Sequence, residues 1–186
     1  MTIDVPRPPE RIETARLVLR VPRPEDAPVM FRRWASDAEV TRFLSWLPHT
    51  ELRQSELHIE RVRGWWVGDE SFVWFLETRS GGEVIGSVAA RRSHGVNLGY
   101  VLARDEWGKG YMTEAVRAVA EWYLAHDTVH RVWATCDPEN VGSARVLEKA
   151  GFELEGRLRR WEDRPNSPAP GPHDALCYSR VSMSVE

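Results

Sequence analysis

The sequence predicts an α/β fold, with one domain built on a mixed, mostly antiparallel sheet of about seven strands flanked by helices. Three observations lead to this prediction. Strand-like segments lie on both sides of a group of helical segments. The turn Ser80-Gly81-Gly82 joins two of these strands as a hairpin. Only one strand–helix–strand unit is present, over residues 96–136, and the hairpins around it argue against a doubly wound sheet.

The N-terminal half supplies one strand, two helices and then the hairpin. Residues 1–11 are rich in proline and are expected to form a flexible lead-in to a domain spanning 12–186. The segment "RLVLRVP" alternates as a strand does. A proline and acidic residues open a predicted helix over 24–44, and a second helix is predicted over 51–67. Strands are then predicted within 71–92 and over 96–103.

The C-terminal half contains the clearest helix, residues 111–126. One face of this helix carries an apolar stripe made of Ala115, Val116, Val119, Ala120 and Tyr123. A short buried strand is predicted at 131–136, and a helix follows and stops at Gly151. A closing pair of strands is predicted in 152–163 and 175–185, joined by a proline-rich loop.

Composition excludes several classes of function. The net charge of −3 argues against a nucleic-acid scaffold or a polybasic membrane binder. Neither Cys136 nor Cys177 belongs to a cysteine or histidine cluster, so no metal site is expected and reduced thiols are the default. The first residues lack an apolar signal segment, and no run approaches the length of a membrane span. A cytoplasmic protein is therefore expected.

The stretch "RDEWGKGYMTE" lies at a strand-to-helix turn, where the first N–H groups of a helix lack partners. No residue of the usual capping types stands between Trp107 and Met112. A bound anion could fill these donors, with Gly108 and Gly110 allowing close approach and Lys109 adding charge. The alternative is a glycine turn capped by Asp105, Glu106 or Thr113.

Two other phosphate-binding motifs fit this stretch less well. A P-loop fails because Gly110 follows Lys109 where serine or threonine is needed. The dinucleotide-binding pattern GxGxxG fits at its first two glycines, but Thr113 occupies the third position. Too few residues follow the unit for a doubly wound sheet. Spacing alone leaves the nature of the anion open.

The stretches "GYVLARDEWGKGYMTEAV", "NVGSARVLEKAGF" and "LEGRLRR" together resemble the GNAT N-acetyltransferase superfamily. They are most similar to the branch containing the RimJ/RimL-type ribosomal-protein alanine and serine N-terminal acetyltransferases, over residues 12–184. The resemblance implies direct transfer of acetyl from acetyl-CoA to a primary amine, most simply a protein N-terminal α-amine. A small-molecule amine and a non-catalytic acyl-CoA-binding domain are the alternatives. A homodimer is a further expectation from the resemblance.

The resemblance also assigns cofactor-binding residues. The family motif Q/R-x-x-G-x-G/A falls on Trp107, Gly110 and Met112, where methionine replaces the expected small residue. By resemblance, the backbone from Gly108 to Thr113 cradles the diphosphate, and pantetheine pairs with the strand edge, where an amide polarises the thioester carbonyl. The implied cofactor-binding set is Tyr100, Val101, Leu102, Trp107, Gly108, Lys109, Gly110, Tyr111, Met112, Thr113, Asn140 and Ser143.

Two residues are implied for catalysis. Many relatives have a tyrosine where Leu147 stands, and leucine cannot protonate the leaving thiolate. In this branch the serine matching Ser143 is the proposed donor, and Ser143 could instead bond a helix carbonyl. Glu155 in "LEG" matches a proposed weak base, or is a surface carboxylate paired with Arg157. Asn140 is expected to contact pantetheine, to cap the helix, or both.

Overall fold

The computed structural model describes residues 5–169 and 171–182. One eight-stranded sheet runs through them in the order β1-β2-β3-β4-β5-β6-β8-β7. All neighbouring strands are antiparallel except β5 and β6, which are parallel. The strands are β1 (Arg11–Glu13), β2 (Leu17–Arg20), β3 (Ser71–Thr78), β4 (Val84–Arg92), β5 (Val96–Leu102), β6 (Arg131–Cys136), β7 (Glu153–Asp163) and β8 (Pro172–Val181).

Within the described residues, five α-helices accompany the sheet. They are α1 (Ala27–Met30), α2 (Ala38–Thr41), α3 (Leu52–Val67), α4 (Tyr111–Leu124) and α5 (Val141–Lys149). The predicted α/β class and the single β5–α4–β6 crossover are confirmed. The sheet has one strand more than predicted, because the short β1 pairs with β2. The predicted extension of the last strand to residue 185 reaches outside the described residues.

The helix predicted over residues 24–44 is broken into pieces. A 3₁₀ turn, α1 and a π-helical segment, Phe31–Ala35, follow one another without interruption. The Ser36 hydroxyl then donates to the Phe31 carbonyl at 2.7 Å. Asp37 is extended, and its side chain accepts the Glu39 N–H, which caps a separate α2. Local side-chain bonds to the backbone therefore end the first helix early.

The described part of the N-terminal lead-in, which was expected to be flexible, is packed against the sheet. Val5 is 3% exposed and belongs to the core. The Trp74 indole donates to the Pro9 carbonyl at 3.0 Å, and Arg7 pairs with Asp69. Proline content indicated only the absence of regular structure, whereas tertiary contacts fix the described part of this segment against the sheet.

The predicted stripe of α4 is the part of the core that positions the site. All five stripe residues are at most 1% exposed. They pack in one cluster with three alternate residues of β6, namely Val132, Ala134 and Cys136. A second cluster gathers around Trp34 and Phe75, whose rings meet edge to face at 5.4 Å. Val101 of β5 packs against this second cluster. No helix among the described residues combines the length and apolarity needed to cross a membrane.

Candidate active site

The sheet opens between its two parallel strands. β5 and β6 pair only at Val96 with Val132 and at Asn97 with Trp133. Beyond these pairs, the edge of β5 from Gly99 to Leu102 faces a gap, and its other edge stays paired with β4. Gly99 lies in regular register without the bulge that a strand glycine can mark, and the space beside its backbone is open. An extended ligand can therefore add to this strand edge.

The helix after the gap begins without a side-chain cap. Gly110 is the N-cap of α4, and no side chain bonds to the first N–H groups. Gly108 and Gly110 have φ angles of 77° and 81°, in the left-handed region that glycine tolerates. None of the three alternative caps, Asp105, Glu106 or Thr113, takes that role. The unpaired N–H groups and the helix dipole thus form an anion site at the mouth of the gap.

Arg16, in the turn between β1 and β2, lies against this anion site. Its guanidinium donates to the Lys109 carbonyl at 2.9 Å and to Glu114 at 2.6 Å. The same group covers the Tyr111 ring at 4.6 Å. A β-carbon on Gly110 would lie 3.4 Å from Arg16 Nη2. Arg16 therefore holds the glycine turn in place and brings a positive charge beside it. Arg16 lies outside the motifs that predicted this site.

The other residues of the motif serve the turn in different ways. The Trp107 indole donates to the Leu102 carbonyl at 2.9 Å, so this half-exposed side chain ties the turn to the end of β5. Lys109 Nζ is paired with Glu106 at 2.9 Å and is 52% exposed. Met112 points into the core and is 3% exposed, so only its backbone N–H can face a ligand. The methionine does not crowd the turn.

A hydrogen bond joins Tyr100 of β5 to Ser143 of α5. The Tyr100 hydroxyl lies 2.7 Å from Ser143 Oγ and 3.2 Å from the Ser143 carbonyl oxygen. Burial raises the pKa of the Tyr100 phenol, which therefore stays protonated. Asn140 is the N-cap of α5, and its side chain accepts the Ser143 N–H at 3.0 Å. This cap fixes the first turn of the helix that presents the Ser143 hydroxyl.

Two neighbours of Ser143 are poor reactive groups. Leu147 is fully buried in the core, so nothing at that position can donate a proton. Burial raises the pKa of the Cys136 thiol to about 11, and the nearby Ser143 hydroxyl offsets this only in part. Because the thiolate is the nucleophile, Cys136 is unsuited to carry an acyl group at neutral pH.

Glu155 lies far from Ser143. Hydrogen bonds from Arg131 and from Ser179, the latter at 2.6 Å, lower the pKa of Glu155 to about 2. Arg131 begins β6, whereas Cys136, beside Ser143, ends it, so the two ends are separated by roughly 16 Å of extended strand. A carboxylate with such a low pKa is a weak proton acceptor. The geometry argues against the base role that the resemblance implied, and Arg157 pairs with Asp174 instead of Glu155.

A different carboxylate of β7 lies at the open end. Glu162 accepts the Thr135 hydroxyl at 2.5 Å and contacts Arg164 Nη2 at 3.3 Å. Arg164 Nη1 in turn lies 2.7 Å from Asp137, the residue after β6. Successive side chains of a strand point to opposite faces, so Thr135 faces away from the side where Cys136 packs with α4. The contact between Thr135 and Glu162 is thus made on the face of β6 opposite to Cys136.

Three loops are tied together around that face. The Asn166 amide donates to the carbonyls of Thr41 and Trp46 at 2.8 and 2.7 Å. Arg42 lies 3.5 Å from Glu139 in the loop before α5. These contacts join the loops that follow α2, β6 and β7.

Little in the sequence marks Arg16 or Glu162 as part of the candidate site. Arg16 and Glu114 are 98 positions apart. Glu162 is set apart from Glu155 only by its place along β7, where two register shifts against β8 decide which carboxylate reaches the open end. Within the described residues, no three His, Cys, Asp or Glu side chains are grouped to hold a metal ion.

The candidate site thus combines the split between β5 and β6, the uncapped N-terminus of α4 and the hydrogen-bonded Tyr100 and Ser143 hydroxyls, an arrangement that can hold an anionic ligand beside a proton donor. The family model described as acetyltransferase (GNAT) domain matches residues 16–153. The chain therefore belongs to the GNAT acetyltransferases and is an N-acetyltransferase. The expected family, fold and class of enzyme are confirmed.

Individual relatives agree with this assignment. An uncharacterized N-acetyltransferase p20 of Bacillus licheniformis is 31% identical over 157 residues, which cover 82% of this chain and 88% of that protein. The ribosomal protein uS5-alanine N-acetyltransferase of Escherichia coli is 29% identical over 160 residues, covering 80% and 81%. The microcin C7 self-immunity acetyltransferase MccE, solved with acetyl-CoA and AMP, superposes with a TM-score of 0.82 at 22% identity, covering 96% and 99%.

Proposed function

We propose that this enzyme moves acetyl from acetyl-CoA directly to a primary α-amine, most simply the N-terminus of a protein or peptide. One observation carries the proposal: the pairing of β5 with β6 stops at Asn97 and Trp133, and this leaves an edge of β5 open next to the uncapped N-terminus of α4. Two substrates can then meet in the gap from opposite faces, so no acyl-enzyme intermediate is required.

The cofactor entrance is assigned to the α4 and α5 face. Backbone N–H groups from Gly108 to Thr113, including those of Lys109, Tyr111 and Met112, receive the diphosphate, and Arg16 holds their turn. The unpaired edge from Tyr100 through Val101 to Leu102 pairs with pantetheine, and Asn140 lines its path. One N–H of this edge would polarise the thioester carbonyl, a contribution of about 3 kcal/mol in comparable sites.

Proton transfer is assigned to two residues on opposite faces. Ser143 donates a proton to the departing CoA thiolate, and Tyr100 orients the serine hydroxyl. Glu162 replaces Glu155 as the proposed base, acting on the amine through water. A weak base suffices, because an α-amine with a pKa of about 8 is roughly one-tenth neutral at pH 7. The attacking nitrogen forms the new C–N bond as the C–S bond breaks, and CoA leaves as the thiol.

The charges at the acceptor entrance favour an α-amine over a polycation. The carboxylates of Asp137, Glu139 and Glu162 are interleaved with the guanidinium groups of Arg42 and Arg164. A polyamine needs an excess of carboxylates along its length, whereas this entrance has an excess of only one. The uS5-alanine acetyltransferase similarity supports the same choice of acceptor.

The test is thiol release from acetyl-CoA with a panel of acceptors. Peptides with a free N-terminus are compared with N-terminally blocked peptides, spermidine, an aminoglycoside and single amino acids. The proposal predicts that turnover requires the free peptide N-terminus. Stabilisation by acetyl-CoA with turnover only on a small-molecule amine would overturn it, as would stabilisation without turnover on any acceptor.

A further inference from the structure

One face of β5 has open space bordered by an exposed arginine of β4. Gly99 is exposed, and a β-carbon added to it would meet nothing within 4 Å. The register of β4 and β5 sets Arg91 opposite Asn97, and Ala89 opposite Gly99. Paired residues of neighbouring strands point to the same face, as do alternate residues of one strand. Arg91 therefore lies on the face of the open space, with its Cα about 8 Å from that of Gly99.

This face is opposite to the one assigned to the cofactor. Tyr100, the neighbour of Gly99 in β5, points toward α5 and contacts Ser143 there. Helix α3 covers the other face, because Val101 packs against the buried cluster that contains Ile59 of α3. The open space at Gly99 is therefore on the α3 face, from which the proposed function brings in the acceptor.

Helix α3 contributes a second arginine to the border of this space. His58, Arg61 and Trp65 are three and four residues apart and so share one side of the helix. The Arg91 guanidinium lies over the Trp65 ring, 5.9 Å from its centroid, so this side of α3 faces Arg91. The pKa of His58 is lowered to about 4, first by burial and then by nearby positive charges that include Arg61 and Arg91. Both guanidinium groups are therefore close to the His58 ring.

Neither arginine is neutralised by a carboxylate. Both are exposed, and within residues 5–169 and 171–182 neither guanidinium has a carboxylate oxygen within 4.0 Å. Arg53, on another side of α3, differs because it pairs with Glu56. The net charge of the whole chain is −3, so the positive potential beside Gly99 is local. An anionic group that enters from the α3 face meets two free cations.

We infer that Arg61 and Arg91 bind an acidic side chain of the acceptor peptide, at one of positions two to four counted from the acetylated residue. The inference rests on the proposed function and deepens it by naming a feature of the acceptor that the enzyme recognises. The acceptor amine must reach the β5 edge beside Gly99, and an extended chain advances about 3.3 Å per residue. The second to fourth side chains therefore pass within reach of the two guanidinium groups. A carboxylate there accepts charge-assisted hydrogen bonds.

Other anions fit this place less well. The diphosphate of acetyl-CoA is assigned to the N-terminus of α4, on the opposite face of the sheet. A nucleic acid requires a longer series of cationic side chains along its phosphates than two arginines provide. A single carboxylate on a peptide matches both the number of the free cations and their place beside the acceptor path.

Peptides that differ at one position test the inference in the unmodified enzyme. Each begins with alanine and carries glutamate, glutamine or lysine at position two, three or four. At one or more positions, kcat/KM is expected to be about tenfold higher with glutamate than with glutamine, and lowest with lysine, which the arginines repel. In about 0.5 M NaCl the advantage should fall below threefold, because salt screens exposed ion pairs.

Two results of this comparison have different consequences. Equal kcat/KM for glutamate and glutamine at all three positions would overturn the inference and leave N-terminal acetylation intact. No turnover of any peptide would remove the proposed function, and the inference with it.

Variants of the two arginines test the residues themselves. Arg61→Met and Arg91→Met should each reduce the glutamate preference to about threefold, and the double variant should abolish it. Arg91→Lys keeps the charge and should retain more of the preference than Arg91→Met. Arg53→Met, on the same helix, is the matched control and should keep the full preference.

The KM for acetyl-CoA separates acceptor binding from cofactor binding. It is expected to stay within about twofold of the unmodified enzyme in all these variants. A glutamate preference that persists in the double variant would contradict the inference. A raised KM for acetyl-CoA with an unchanged preference would assign the arginines to the cofactor and overturn it as well. If Arg91→Met does not fold, Arg61→Met and the peptide comparison decide the outcome.

Discussion

The hydroxyl oxygen of Tyr100 lies 2.7 Å from Ser143 Oγ across the opening between β5 and α5. The phenol has one proton and two acceptors within reach, Ser143 Oγ and the Ser143 carbonyl. When it donates to Oγ, the serine proton is free to point toward a leaving thiolate. In the proposed mechanism, this contact orients Ser143 as the proton donor in place of Leu147.

Removing the serine hydroxyl should slow chemistry without weakening cofactor binding. Ser143→Ala is expected to lower kcat by about 100-fold, the lower range for general acid catalysis, with KM for acetyl-CoA within about twofold. Tyr100→Phe is expected to lower kcat by about tenfold, because the Tyr100 hydroxyl orients the serine but does not itself give a proton to the thiolate. Steady-state thiol release checks both. An unchanged kcat in Ser143→Ala would exclude Ser143 as the proton donor.

The glycine turn should depend more on Arg16 than on Lys109. Arg16→Met removes the bond to the Lys109 carbonyl and leaves the Glu114 carboxylate near the helix N-terminus without its ion pair. KM for acetyl-CoA is expected to rise about fivefold, equivalent to roughly 1 kcal/mol. Lys109→Met serves as the matched variant and should change KM by less than twofold, because the exposed ammonium is paired with Glu106. The reverse order of effects would show that the lysine supplies the anion contact.

Substitutions of Glu155 and Glu162 in β7 should separate effects on activity from effects on stability. Glu162→Gln is expected to lower kcat by about 100-fold. Glu155→Gln should leave kcat unchanged but lower the free energy of unfolding at pH 7 by about 1 kcal/mol. The value is small because solvent screens the partly exposed Glu155 side chain. The pKa of Glu155 falls from 4.5 to about 2 on folding. Its stabilisation is therefore complete above pH 4.5 and disappears as the pH falls toward 2.

Kinetics and urea unfolding at several pH values measure these effects. The stability difference between the unmodified enzyme and Glu155→Gln should shrink below pH 4.5. A loss of kcat in Glu155→Gln at full cofactor saturation would restore Glu155 as a candidate base.

His58 should make the free energy of unfolding depend on pH between pH 6.5 and pH 4. Burial, with the charges of His49, Arg61 and Arg91, lowers the pKa of His58 from 6.5 to about 4. The folded state thus binds this proton less tightly than the unfolded chain, so stability is full above pH 6.5 and falls as the pH drops toward 4. The loss is expected to be about 2 kcal/mol.

His58→Gln should remove this part of the pH dependence in urea unfolding between pH 7 and pH 4. His130→Gln, at an exposed histidine, is the control and should keep it. Parallel pH curves for His58→Gln and the unmodified protein would refute the assignment to His58.

Local patterns predicted the elements that build the cofactor side of the site. The apolar stripe of α4 and the stop at Gly151, whose φ is 88°, needed only residues close in sequence. The same holds for the glycine turn before α4. These features follow from backbone geometry and from the burial of one helix face. Both leave a local residue pattern that can be recognised in a single sequence.

The acceptor side depends on contacts between distant segments. The place of Glu162 follows from register shifts in β7, and the bonds of Asn166 join positions 120 to 125 residues apart. No periodicity marks such contacts. The resemblance pointed to Glu155, and no local pattern separates Glu155 from Glu162, because both are charged residues of β7.

The most direct test of direct transfer to an α-amine uses one peptide with two competing amines. The peptide has a free alanine N-terminus and an internal lysine, and is incubated with acetyl-CoA and the enzyme before the acetylated position is located by fragmentation mass spectrometry. The account predicts a single acetyl group on the α-amine and an unmodified lysine. Acetylation of the lysine side chain with a free N-terminus would contradict it.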